Sequence, residues 1–338
     1  MAEMDIFNND AFSALSMTTR VNNMDFVPGR VGEVCDFREY GVITTTVAIE
    51  EKDSVLSLIA NSPRGSAPEQ ASRGKRRMRN LNLTHLTREA VIYADQIQGV
   101  RAFGGQGELE VVTQVADAEV QRLLLSMDMT LENLRLGAFK GDILDADGST
   151  VIYNLFTEFG VTQETEVNFA LTTATTDVRG LCQKLRRTMV KNLKLPENSK
   201  FRIHSLCGPD FFDNLISHPE VKAAYDRWEQ GAALRADLTY SVFNFGGIDF
   251  EDYRGSDDGT VGVPAAKAHF APVGVPGLWE NPNGPADTME FVNTPGMPRY
   301  VIPGFDPSGK NKFMSFEVQA NPLPFCTRPK VLMKGKQA

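Results

Sequence analysis

Residues 93–148 read YADQIQGVRAFGGQGELEVVTQVADAEVQRLLLSMDMTLENLRLGAFKGDILDADG, and this stretch decides the fold. Gly104, Gly105 and Gly107 break the preceding pattern, and from there a helical pattern runs without glycine or proline to Leu136. Val120, Leu124, Met127, Leu131, Leu134 and Ala138 recur in steps of three and four, which places them on one helix face. The helix is predicted to stop at Gly137 and to give way to a hairpin that turns at Asp147-Gly148. A helix over about 107–137 would be roughly 45 Å long. That is more than a compact core of this size needs, so it reads as a spine.

The chain around this spine has 338 residues, enough for two or more cooperating cores, with 42% hydrophobic and 23% charged residues. Its net charge of −8 opposes a whole-surface nucleic-acid binder, which needs clustered Lys and Arg. Cys35, Cys182, Cys207 and Cys326 stand far apart without a CxxC pair and read as reduced core thiols. The N-terminal MAEMDIFNNDAF has no basic n-region or apolar h-region, and no apolar run reaches membrane-span length. The expectation is a product made in the cytoplasm, soluble until it assembles, with no membrane partner.

Residues 1–40 are mixed and polar, with too little apolar surface to fold alone, and should lie on something else as an arm. GVITTTVAIEE from Gly41 and LNLTHLTREAVIY from Leu81 are β-type runs. They are predicted to pair as an extended hairpin around a long polar tip. Such a two-stranded ribbon is marginal in water, so it implies a partner surface. Its tip is basic: between Asn61 and Asn80, Arg64, Arg73, Lys75, Arg76, Arg77 and Arg79 face one carboxylate, Glu69, a net charge of +5. A nucleic-acid patch, a tip that docks on acidic surface of neighbouring copies and a solvated loop are all open for this cluster.

Beyond the spine, GDILDADGSTVIYNLF reads as a small hairpin. A helix follows over about Thr176–Lys194, with Val178, Leu181, Leu185, Met189 and Leu193 on one face and Pro196 after it. FRIHSLC reads as a buried strand, PDFFDNLI as a short helix, and Pro219 opens another. TYSVFNFGGIDFEDYRG is a hairpin broken at Gly246-Gly247. Residues 255–310 are rich in Gly and Pro and read as irregular loops, and KFMSFEVQANPLPFCTRPKVLMK as a closing strand.

Catalytic and ligand-binding motifs are weak throughout. GGQGELE carries Glu110 where a dinucleotide fingerprint needs glycine. Gly74-Lys75 is followed by Arg76 rather than Ser or Thr, against a P-loop. His204 and Cys207 are an odd number of strand positions apart, which points them to opposite faces. His204 and Ser205 likewise diverge, and no GxSxG is present. Asp142, Asp145 and Asp147 lack the later bidentate Glu of an EF-hand. No catalytic residue, cofactor or metal site is assigned. An enzyme built in the 255–300 loops, or a nucleic-acid binder using the basic tip, are the competing classes.

In order and spacing, the parts resemble the lambda-like major capsid protein E family of tailed bacteriophages. The resemblance is carried by FREYGVITTTVAIEE, SPRGSAP, LTREAVIYADQIQGVRAFG, DMTLENLRLGAFKGDILDADGSTVIYNLFTEFG (Asp128–Gly160), LCGPDFFDNLISHPEVKAAYDRW, FGGIDFEDYRG and FMSFEVQANPLPFCTRPKVLM. It covers almost the whole chain and is weakest over 255–300. It implies an α+β fold of the tailed-phage and herpesvirus capsid (Johnson) type. Residues 1–40 would be an N-terminal arm and 41–92 the E-loop hairpin. Residues 93–200 would be the peripheral domain with its spine helix, 201–305 the axial domain, and 306–338 a C-terminal strand returning to the peripheral sheet. The implied function is a major capsid protein that self-assembles into hexamers and pentamers of an icosahedral head in the host cytoplasm. Its expected partners are other copies of itself, the portal, scaffold and decoration proteins, and packaged double-stranded DNA held without sequence-specific contact. Arg64, Arg73, Lys75, Arg76, Arg77 and Arg79 would then make inter-subunit contacts. A cargo-enclosing nanocompartment shell shares the fold and is the alternative.

Overall fold

A computed structural model describes residues 13–22, 29–52, 76–93, 108–194, 200–230, 242–253, 255, 261–309 and 312–338. Helices α1 (Ala14–Asn22) and α2 (Arg30–Cys35) lead into strands β1 (Arg38–Gly41), β2 (Thr46–Lys52), β3 (Arg76–Asn82) and β4 (Leu86–Tyr93). The long helix α3 (Glu108–Lys140) precedes β5 (Asp142–Leu144), β6 (Val151–Asn154), α4 (Leu155–Phe159) and β7 (Val167–Asn168). Next come α5 (Val178–Leu193), β8 (Arg202–Cys207), α6 (Pro209–Ser217), α7 (Pro219–Gln230), β9 (Val242–Phe245) and β10 (Ile248–Asp252). The last strands are β11 (Lys267–Val273), β12 (Trp279–Asn283), β13 (Tyr300–Phe305), β14 (Phe313–Ala320), β15 (Phe325–Cys326) and β16 (Met333–Lys336).

Helix α3 is the predicted spine, 33 residues and so about 50 Å long. Of its predicted apolar stripe, Val120, Leu124, Met127, Leu134 and Ala138 are buried and Leu131 is half-buried. The helix does not stop at Gly137 but makes one further turn. Gly137 is there for closeness rather than termination, because a Cβ on it would stand 2.8 Å from Ile143 Cα and 2.9 Å from the Asp142 carbonyl oxygen. The true stop is Gly141, at φ 92°, whose N–H donates to the Gly137 carbonyl at 2.8 Å.

Two cores sit at successive levels of this spine. Its N-terminal half packs under the antiparallel sheet β13-β14-β4. Alternate residues of β14, Met314, Phe316, Val318 and Ala320, join Val120, Leu123, Leu124 and Met127, with Met17 and Val21 of α1 in the same cluster. Its C-terminal turns enter a second cluster under the sheet β1-β12-β15, where the Phe139 and Trp279 rings stack with centroids 5.9 Å apart.

The third core belongs to a six-stranded mixed sheet of order β7-β16-β11-β8-β10-β9. Strand β8, buried from Ile203 to Cys207, pairs with β10 in parallel and with β11 antiparallel. Alternation sorts its two faces. Ile203, Cys207, Ile248, Phe250, Ala268 and Phe270 pack with α5 and α6, whereas Leu206, Ala271 and Val273 face the cluster at the spine's end. Helix α5 is capped by Asp177, which accepts from the Gly180 N–H at 2.7 Å, and buries Val178, Cys182, Leu185, Met189 and Leu193.

Three readings of the sequence change here. The second β run divides: β2 pairs with β3, Thr46 opposite Asn82 through Lys52 opposite Arg76, while β4 leaves to pair with β14. The Gly/Pro-rich 255–310 stretch carries three strands, β11, β12 and β13. Their prolines sit where a ladder has run out on one side: Pro272 lies past the last residue that β16 pairs, Pro282 past the last that β15 pairs, and Pro303 on an edge strand. The closing stretch is not one strand, because β14 lies over the spine, β15 pairs with β12, and β16 enters the six-stranded sheet.

Candidate assembly interface

Strands β2 and β3 form a ribbon that its own chain holds at the base. Val47 and Leu81 are buried, the Leu83 N–H donates to the Thr45 carbonyl at 2.9 Å, and the Asn82 N–H donates to the Tyr153 hydroxyl at 2.9 Å. Arg79 belongs to that base. Its guanidinium donates to the Phe159 carbonyl at 2.7 Å and to the Glu158 carbonyl, and lies over the Phe159 ring at 5.7 Å. These are the carbonyls left open at the end of α4, where a cation is favoured. Of the predicted tip residues, Arg79 is thus engaged within its own chain. Arg76 and Arg77 lie on β3 itself, at register positions opposite Lys52 and Glu51. Arg64, Arg73 and Lys75 lie outside the described residues. Between Arg77 and Arg79, Met78 is 73% exposed.

The segment expected to lie elsewhere as an arm is, over its described residues 13–22 and 29–41, packed on its own chain. Thr18 accepts from the Val301 N–H at 3.1 Å, and the Asn22 amide donates to the Arg299 carbonyl at 2.9 Å. Helix α2 begins at Gly29 without a side-chain cap of its own, and the spine supplies one: Glu132 Oε1 accepts from the Val31 N–H at 2.7 Å. The Tyr253 hydroxyl donates to the same oxygen at 3.1 Å. Burial raises the Glu132 carboxyl above its ordinary value, and these donors pull it back. Arg30 then reaches the six-stranded sheet, with Nε 2.6 Å and Nη2 2.9 Å from the two Glu251 oxygens. His204 Nε2 is 2.8 Å from Glu251 Oε2. Burial opposes ionisation of Glu251, yet its donors, His204 foremost, hold its pKa below the ordinary value. Arg135 to Glu39, at 2.8 Å, and Arg299 to Asp128, at 2.5 Å, fasten β1 and β13 to the spine.

Sequence reasoning missed this network, since Arg30 and Glu251 are 221 residues apart. The one local hint is that Glu132 and Arg135 flank the apolar stripe of the spine next to Leu131, Leu134 and Leu136.

Ser205 Oγ lies 3.3 Å from Cys207 Sγ on the face that His204 does not share, so neither of these two side chains meets the His204 imidazole. All four cysteines are buried and unpaired, and burial pushes the Cys182, Cys207 and Cys326 thiols up to about 12. Asp147 closes its turn by accepting from the Ser149 and Thr150 N–H groups at 2.9 and 2.8 Å, and Asp142 accepts from Asn154. Among the described residues no three His, Cys, Asp or Glu side chains gather as a metal site. No helix there is long and apolar enough to cross a membrane.

A family model described as phage major capsid protein E matches residues 13–337. The major capsid protein of Pseudomonas phage KPP10 is 31% identical over 337 residues, covering 93% of this chain and 95% of the relative. That of Salmonella phage Felix O1 is 27% identical, covering 95% of each. Among solved structures, the capsid of cyanophage P-SCSP1u matches with a TM-score of 0.52 at 10% identity, over 93% of this chain and 90% of its own. The mature capsid of bacteriophage PhiM1 matches at 0.51 and 11%, over 94% and 89%. These two likenesses bear on the fold.

Proposed function

The chain belongs to the phage major capsid protein E family, and on that premise we propose that its work is polymerisation rather than catalysis. It is a major capsid protein of a tailed phage, with the α+β fold of tailed-phage capsids. Copies assemble into hexamers and pentamers of an icosahedral head that encloses double-stranded DNA, and the head is built in the host cytoplasm before packaging. Portal, scaffold and decoration proteins are the further partners of such a shell. The observation that carries this reading is the family match from residue 13 to residue 337, which leaves no described element outside the capsid family.

The division into arm (1–40), E-loop (41–92), peripheral domain with spine (93–200), axial domain (201–305) and returning C-terminal segment (306–338) is part of the proposal. The packing suggests two adjustments to it. Helix α5 shares its core with the six-stranded sheet and is better counted with the axial part. Strand β4 shares a sheet with β14 and is better counted with the spine.

The ribbon β2–β3 is the assembly element. Arg76 and Arg77 of β3, with Arg64, Arg73 and Lys75 of the sequence between the ribbon's strands, would dock on acidic surface of a neighbouring copy and make early assembly salt-sensitive. Arg79 anchors the ribbon and is left out of the docking set. Electron microscopy of the expressed chain tests the reading: closed shells, tubes, or pentamer and hexamer rings are expected, and a protein that remains monomeric at high concentration would contradict it.

A further inference from the structure

The exposed side of α5 carries a row of cations that lie apart from the ribbon and lack acidic partners among the described residues. Arg179, Arg186, Arg187 and Lys191 fall at i, i+7, i+8 and i+12, on one helix face opposite the buried one. With Gly246 and Gly247 they line a shallow groove of about 680 Å³. Those glycines, at φ 60° and 83°, let the β9–β10 turn come in under the helix; a Cβ on Gly246 would stand 2.6 Å from Cys182 Cβ, and one on Gly247 3.4 Å from Arg186 Nη1. Among the described residues no acidic residue lines the groove. The nearest carboxylates at the start of α5 are turned to its backbone: Asp177 to the Gly180 N–H, Glu220 to the Val178 N–H at 2.7 Å. None of the four cations forms an ion pair among the described residues.

We infer that this groove is a binding site for the phosphodiester backbone of double-stranded DNA. In a chain of net charge −8, four unneutralised cations on one helix face repel one another, and a bound polyanion removes that repulsion. Three of the four are arginines, whose planar forks match phosphate oxygens in pairs. The row spans about 18 Å of helix, the reach of roughly five phosphates along one strand. Among the described residues that line the groove there is no aromatic ring for base stacking, and Arg179 covers the neighbouring Phe245 ring at 5.5 Å; the site therefore suits a duplex read by its backbone. The inference rests on the reading of the chain as a DNA-enclosing shell subunit and locates the contact within it.

The test measures binding of a labelled duplex of about 30 base pairs to the full-length chain by fluorescence anisotropy across roughly 50–200 mM salt, the range over which phosphate contacts are screened. Binding of the unaltered chain should weaken linearly in log–log terms. In R186E/R187E affinity should fall at least about tenfold and the salt slope by about 2, one per lost phosphate contact. The charge-matched R88E/K222E, on exposed residues away from the groove, should change neither. R186Q/R187Q should reproduce the slope change and covers the case that reversal impairs folding. The inference is overturned if the groove variants bind as the parent does, if R88E/K222E loses as much, or if polyglutamate of equal charge displaces the duplex as well as unlabelled DNA does. Shell formation is scored separately by microscopy. Intact groove binding by a chain that forms no shells, tubes or rings would sink the capsid reading and leave the groove.

Discussion

Replacing Glu251 removes the acceptor of the Arg30 guanidinium and the His204 imidazole at one stroke, and Glu251 itself is 1% exposed. Breaking such a buried pair by deleting one partner costs about 3–5 kcal/mol, because the other charge stays behind uncompensated. Glu251→Ala should lower the urea midpoint of unfolding accordingly; a loss under about 1 kcal/mol would mean that water already solvates the cluster. His269 gives a pH signature. Burial, reinforced by Lys140, Lys334 and Lys267, lowers its pKa from 6.5 to about 3. The unfolded chain then takes up a proton below about pH 6.5 that the folded chain refuses until about pH 3, so stability falls as pH drops through that window. His269→Gln should flatten the decline in melting temperature between pH 6.5 and 4; an unchanged decline would assign it to other groups. At this scale the sequence was partly legible. Strand parity separated His204 from Ser205 correctly, but nothing local announces that the base of one strand meets a carboxylate 47 residues on and an arginine from the N-terminal segment.

The spine was legible because its signal is local: an unbroken period of three and four between glycines. Its end was misplaced by one turn because glycine has two uses, and Gly137 serves close packing against Ile143 while Gly141 serves the left-handed stop. This makes Gly137→Ala diagnostic. In an exposed helix the change would stabilise by about 1 kcal/mol. Here the added carbon meets backbone, so the melting temperature should fall; a rise would show that the β5 approach yields easily. Strands β11 to β13 were hidden by their prolines, which mark a central strand as improbable until the ladders are seen to end beside them. The division between β3 and β4 was hidden too, since one β-type run gives no sign that its halves serve different sheets.

For the whole molecule, the arm and ribbon were expected to find their cores on neighbours. The described parts of the arm, residues 13–22 and 29–40, find it at home, on the spine and beside β13, and the ribbon is held by its own chain at its base. Sequence composition shows a segment's lack of apolar surface but not where its partner lies. The register pairs Lys52 with Arg76, so a two-residue Asn-Gly turn can replace residues 53–75. That variant should fold with an unchanged melting temperature and fail to form shells; shells that still close would deny the ribbon its role. The most direct measurement is an icosahedral cryo-EM reconstruction of particles formed by the full chain. The prediction is a closed shell of pentamers and hexamers in which the six-stranded sheet surrounds the symmetry axes and the ribbon beyond Arg79 crosses a neighbouring subunit. A chain that stays monomeric and forms neither pentamers nor hexamers, or a ribbon folded back along its own subunit, would contradict it.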